Sequence, residues 1–142
     1  MKKLSALWVI TVIAMLPSFA FAADLTAEQV RKGIVGEWQL LSFESGGKVK
    51  EDYSADKVIW RFAADATASI SDKRLGEFTD GYRVVKSSFG WIGKGGVLIL
   101  IKELKKRGFS HPKFMVRRLT AEGDLLLGDW DDTFIYRLRR VQ

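Results

Sequence analysis

Apolar residues alternate with polar ones in several segments of this chain, and helical spacing marks one short segment. Val58, Trp60 and Phe62 interleave with Lys57, Ile59 and Arg61, the period of a strand buried on one face. Trp38-Gln39-Leu40-Leu41-Ser42-Phe43 reads as the strand before it, and Ser45-Gly46-Gly47-Lys48 as a turn between them. A short strand follows at 67–71. Asp80-Gly81 then precedes Tyr82-Arg83-Val84-Val85-Lys86. Residues 97–101 are apolar without a break, and 113–119 form a sixth strand led in by Pro112. Ala121-Glu122-Gly123-Asp124 turns into Leu125-Leu126-Leu127, and the last strand is 134–140.

The helical exception lies at the start. Leu25-Thr26-Ala27-Glu28-Gln29-Val30 opens a helix in which Thr26 caps, Gln29 reaches back to the cap amide, and Leu25 and Val30 close a hydrophobic staple. Gly33 and Gly36 stop it after about two turns. One short helix and eight strands in hairpin succession predict an all-β fold. The expected form is an eight-stranded antiparallel up-and-down barrel, since closure removes both exposed edges.

The pattern upstream is different. Lys2 and Lys3 precede a mostly apolar run ended by Pro17, and Ala20-Phe21-Ala22 offers small residues at a cleavage site. Residues 1–22 therefore read as a signal peptide, leaving one barrel domain over 23–142 that begins at Ala23. The expected location is periplasmic or secreted, with no membrane anchor after cleavage. Composition narrows the chemistry. The chain has 142 residues, no cysteine and one histidine. That excludes a disulfide scaffold, a thiolate metal site and a cysteine nucleophile. No phosphate-binding loop, dinucleotide fingerprint or Gly-x-Ser-x-Gly elbow occurs, so no catalytic residue, cofactor or metal is expected and the reading is non-enzymatic. Asp129-Trp130-Asp131-Asp132 lacks the ligand spacing of a calcium loop and reads as turn aspartates. His111 reads as a loop residue.

Two ends of the domain carry a resemblance. Gly36-Glu37-Trp38 stands on the first strand just after the helix, and Tyr136-Arg137-Leu138-Arg139-Arg140 on the last. Together they resemble the lipocalin-like, or calycin, group. The hairpin Leu119-Thr120-Ala121-Glu122-Gly123-Asp124-Leu125-Leu126-Leu127 resembles one found in small bacterial members. The resemblance implies that Trp38 packs at the closed end of the barrel with an arginine across it. Arg140 shares the parity of Tyr136 and Leu138, and Arg139 takes its place if a bulge shifts the phase. Both roles are structural. The chain lacks the C-terminal helix and the disulfides of larger lipocalins.

In such a barrel Trp38, Trp60, Phe62, Tyr82, Val84, Phe114, Val116, Tyr136 and Leu138 point inward. Trp60, Phe62, Tyr82, Phe114 and Tyr136 are the candidate ligand-binding residues, around either a small apolar or amphipathic ligand or one another. The second possibility makes the chain a protein-binding module, of inhibitor or immunity type, with a filled interior and active loops.

Charge adds a rim. The formal net charge is +6. It is unevenly spread: 102–118 is strongly basic, and 119–136 carries five acids and no base. Lys105, Lys106 and Arg107 would face Asp129, Asp131 and Asp132 across one end. They form either a contact for an anionic group or a protein partner, or a set of solvated loops. No stacking motif points to nucleic acid. Trp91 and Ile92, in the glycine-rich stretch 89–96, and the outer face of 97–101, at Leu98 and Leu100, need cover from the chain itself, from a second copy or from a partner.

Overall fold

The computed structural model describes residues 25–73, 75–87, 96–101, 113–129 and 133–142. The helix α1 spans Ala27–Gly33, and Thr26 caps it with the reciprocal Gln29 bond in place. Leu25 and Val30 are both buried, as a staple requires. Nine strands follow: β1 (Gly36–Ser45), β2 (Lys48–Asp52), β3 (Ile59–Phe62), β4 (Thr67–Asp72), β5 (Gly76–Lys86), β6 (Val97–Ile101), β7 (Lys113–Leu119), β8 (Asp124–Gly128) and β9 (Phe134–Arg140).

Every strand pairs antiparallel with its neighbour, and β9 returns to β1 to close the wall. β2 and β3 both lie on the other side of β1. β2 pairs with Ser42–Ser45, and β3 with 36–39. They share one place in the ring, so nine segments make a closed eight-stranded barrel with one short helix. This architecture is consistent with a calycin-like fold.

Two features depart from the sequence pattern. β2 was not expected, because Lys48-Val49-Lys50-Glu51-Asp52 has no apolar alternation. It forms because Gly46 and Gly47, with φ of +60° and +75°, fold the chain back on β1. Nor does Asp80-Gly81 turn the chain. β5 begins at Gly76 and runs through both residues, which pair with Ala68 and Thr67. Phe78 is its only large apolar residue before Tyr82, too little for a period to show.

Strand direction defines two ends. The floor holds α1, the start of β1, and the turns 63–66 and 120–123. The other end, the mouth, holds the Gly46–Gly47 tip and the starts of β7 and β9. The core runs between them, and all nine side chains expected to point inward are buried. At the floor Gly33 leaves room for Leu119, whose Cδ2 lies 2.8 Å from where a Cβ would stand. Leu98, on the outer side of β6, is 7% exposed within the single chain, whereas Leu100 is half-buried. The expected signal segment 1–22, the Trp91 and Ile92 stretch, the triplet Lys105-Lys106-Arg107, His111 and Asp131-Asp132 lie outside the described residues.

Candidate functional site

The floor is built first from local chemistry. α1 ends at Gly33, and the chain then enters β1 through Gly36 at φ +138°, where a Cβ would meet the Arg140 guanidinium. Trp38 is wholly buried and donates its indole N–H to the Ile34 carbonyl at 2.8 Å. The Arg140 guanidinium lies 4.3 Å from the Trp38 ring and donates to the carbonyls of Val35, at 3.0 Å, and Gly33. Arg139 sits one register step away, opposite Gln39 and Asp124, on the outer face. The Trp38 indole N–H and the Arg140 guanidinium are thus both used in closing the barrel.

The five candidate ligand residues fall into two groups. Phe62 and Tyr82 meet edge to face, centroids 5.3 Å apart, in the floor half. The Tyr82 hydroxyl donates to the Ala63 carbonyl at 3.1 Å, and burial pushes its pKa above the ordinary value. Trp60, Phe114 and Tyr136 come together in the mouth half. Their centroids are 5.1 Å apart for Trp60 and Tyr136, 5.7 Å for Trp60 and Phe114, and 5.8 Å for Phe114 and Tyr136. Phe43 joins them, 4.9 Å from Tyr136. These are ordinary spacings for rings in mutual contact.

That mouth-half cluster encloses a carboxylate. Asp72 closes β4, and its register with β5 places it on the inner face with Ala68 and Ile70. It is 7% exposed. The Tyr136 hydroxyl donates to Asp72 Oδ2 at 2.7 Å, and the Leu75 amide donates to Oδ1. Nearby, the Tyr53 hydroxyl accepts from the Lys73 amide at 3.3 Å. Burial raises the pKa of that phenol. The Trp60 indole N–H donates to the Ser71 carbonyl at 2.8 Å. A carboxylate, two phenols and an indole therefore converge at one level of the interior, in a shell of aromatic rings.

Most of the rings are closely covered. A space wide enough for a water molecule leaves accessible surface on the residues that line it. Trp60 and Phe62 have none, and Tyr136 and Phe114 have 1% and 2%. Phe43 and Asp72 at the same level keep 5% and 7%, so the rings leave little room between them, as eight strands permit.

The sequence pattern placed the rings but not their polar partners. Asp72 had a usable signal, since it continues the alternation of Ala68 and Ile70 by one step. Tyr53 had none, because it follows a polar strand and enters the core through a break in the wall. Of the rim residues, Asp129 is the one described. Its carboxylate accepts from Thr133 and from the Phe134 amide at 3.3 Å, and Arg117 donates to its carbonyl at 2.7 Å. It organises the turn into β9.

No family model matches the chain, and neither a curated protein nor a solved structure does.

Proposed function

We propose that the chain is an exported, non-enzymatic binding protein whose barrel takes a small apolar or amphipathic ligand in its mouth half. The observation that carries this reading is the Asp72–Tyr136 pair. A barrel that served only as a scaffold would be as stable, or more so, with apolar residues there, because burying a carboxylate costs several kcal/mol of solvation, roughly, before its partners offset it. A binding site does need such groups, since an apolar pocket orients its ligand through a few convergent polar atoms. Trp60, Phe114 and Phe43 supply the apolar contact, and Tyr136 and Asp72 the hydrogen-bonding end. Phe62 and Tyr82 lie deeper and support the cluster from the floor side. Export to the periplasm or the exterior rests on the signal-like residues 1–22.

A second reading is favoured by a different observation, the near-complete burial of those same rings. A filled barrel suits a protein-binding module that acts through its loops, with Lys105, Lys106 and Arg107 as contacts for an acidic partner. Titration with the neutral apolar dye N-phenyl-1-naphthylamine separates the two. The first reading predicts saturable dye fluorescence with one site per chain, weakened when Trp60 is replaced by alanine. Absence of saturable binding would leave the protein-binding reading.

A further inference from the structure

A ligand that reaches the aromatic cluster from the side must part a wall, and the described residues point to one. β4 is a strand of six residues with two unlike edges. On the β5 side it is paired along its whole length, from Thr67↔Gly81 to Asp72↔Gly76. On the β3 side only Arg61↔Ser69 and Phe62↔Ala68 are paired, and the Ala63 amide extends that ladder toward the floor with a 2.8 Å bond to Thr67. Toward the mouth the ladder stops. The chain between β2 and β3 leaves the wall there, through a turn closed by Asp56 N to Tyr53 O at 2.9 Å and a left-handed Lys57 at φ +50°.

Side chains stand where backbone bonds would be. The Ser71 carbonyl is met by the Trp60 indole, and the Lys73 amide by the Tyr53 hydroxyl. An ion pair between Lys73 Nζ and Glu51 Oε2, at 3.0 Å, crosses the same gap near the mouth. It is largely solvated, with the lysine side chain 62% exposed, so it holds the gap weakly. Among the described residues, two side-chain bonds, one exposed ion pair and the Lys73 ammonium 5.7 Å over the Tyr53 ring span the mouth half of this wall, while its floor half keeps the ladder. The other described strand pairs are held by backbone ladders along the lengths described. Directly behind the gap stand Trp60, Asp72 and Tyr136.

We propose that this β3–β4 seam is the wall of the barrel that opens, and that it is the route by which a ligand reaches the aromatic cluster. The route rests on the small-ligand reading; the opening does not. Local opening of this kind is set by the few bonds that close it, not by the stability of the whole barrel.

Two indoles provide the test. Trp38 and Trp60 are both without exposed surface, and each donates a 2.8 Å bond to a backbone carbonyl. They differ in that only the Trp60 bond spans the seam. Hydrogen exchange of the indole protons is followed by nuclear magnetic resonance in the signal-free protein, with assignments from single tryptophan-to-phenylalanine variants. Trp60 should exchange at least about tenfold faster than Trp38. Tyr53→Phe should speed Trp60 further while leaving Trp38 unchanged. Equal rates for the two indoles would overturn the opening, because both would then report global unfolding alone. Stopped-flow mixing with N-phenyl-1-naphthylamine tests the route: association should be faster in Tyr53→Phe. Dye binding at an unchanged rate despite fast Trp60 exchange would overturn the seam as the way in. Fast Trp60 exchange without any dye binding would uphold the opening and remove the ligand reading.

Discussion

The guanidinium of Arg140 covers the indole of Trp38 at 4.3 Å and ties the last strand to the helix by donating to the Gly33 and Val35 carbonyls. One side chain thus joins both ends of the chain's fold at the barrel floor. Trp38→Ala should cost about 3–5 kcal/mol, the range for emptying a large aromatic site. Arg140→Ala should cost about 2–3 kcal/mol, through lost stacking and charge-assisted bonds to carbonyls. Denaturant midpoints of the two variants give both values. A wild-type midpoint for Trp38→Ala would show that the floor is not built as described.

Gly123 and Gly46 both have positive φ, +97° and +60°, yet their surroundings differ. A Cβ on Gly123 would lie 2.9 Å from the Cβ of Arg140, whereas nothing lies within 4 Å of one on Gly46. Gly46→Ala should therefore cost about 1 kcal/mol for the left-handed backbone alone. Gly123→Ala should cost about 2–3 kcal/mol, since strain and collision add. Thermal melts of the two variants should rank them in that order.

Tyr136→Phe removes the hydroxyl that donates to Asp72 and leaves the ring in its shell. A buried carboxylate then loses one charge-assisted donor, which should cost about 1.5–3 kcal/mol. The far-ultraviolet circular dichroism should stay that of the wild type. A neutral effect on the unfolding midpoint would mean that the pair contributes nothing to holding the mouth half together.

Acid should act through two exposed turns. Hydrogen bonds from Ser54 hold the Asp52 carboxyl below its ordinary pKa of 3.8, and hydrogen bonds from Thr67 do the same for Asp65. A carboxyl depressed in the folded state adds stability that is fully present above the unfolded pKa. That stability is lost as pH falls through the folded value. The unfolding midpoint should begin to fall as pH drops below about 4, and Asp52→Asn with Asp65→Asn should make that fall shallower. An identical acid slope in wild type and double variant would show that other groups set it.

Much of the fold was legible because closure imposes a two-residue period on strands such as β3 and β9. Trp60 and Phe62, or Tyr136 and Leu138, announce an inner face without help from tertiary structure. The capping box at Thr26 and Gln29 is equally local. β2 was not legible, since its strand form comes from the Gly46–Gly47 turn and from β1, not from its own polar residues. The first half of β5 was hidden by Asp80-Gly81, which looks like a turn but stays extended through pairing with Ala68 and Thr67. The same limit applies to the candidate site. Its rings follow from alternation, but the Asp72–Tyr136 bond joins residues 64 apart, and no local pattern encodes such a meeting. The seam is less legible still, because it is the absence of a ladder.

The central claim is that the mouth-half cluster around Asp72 and Tyr136 holds a small molecule. Native mass spectrometry of the protein purified from its own host, followed by denaturing extraction, tests it most directly. The account predicts a small amphipathic molecule bound one per chain, released on denaturation and lost or diminished in Tyr136→Phe. A chain that carries no small molecule, or that comes away bound to another protein with its interior empty of ligand, would contradict it.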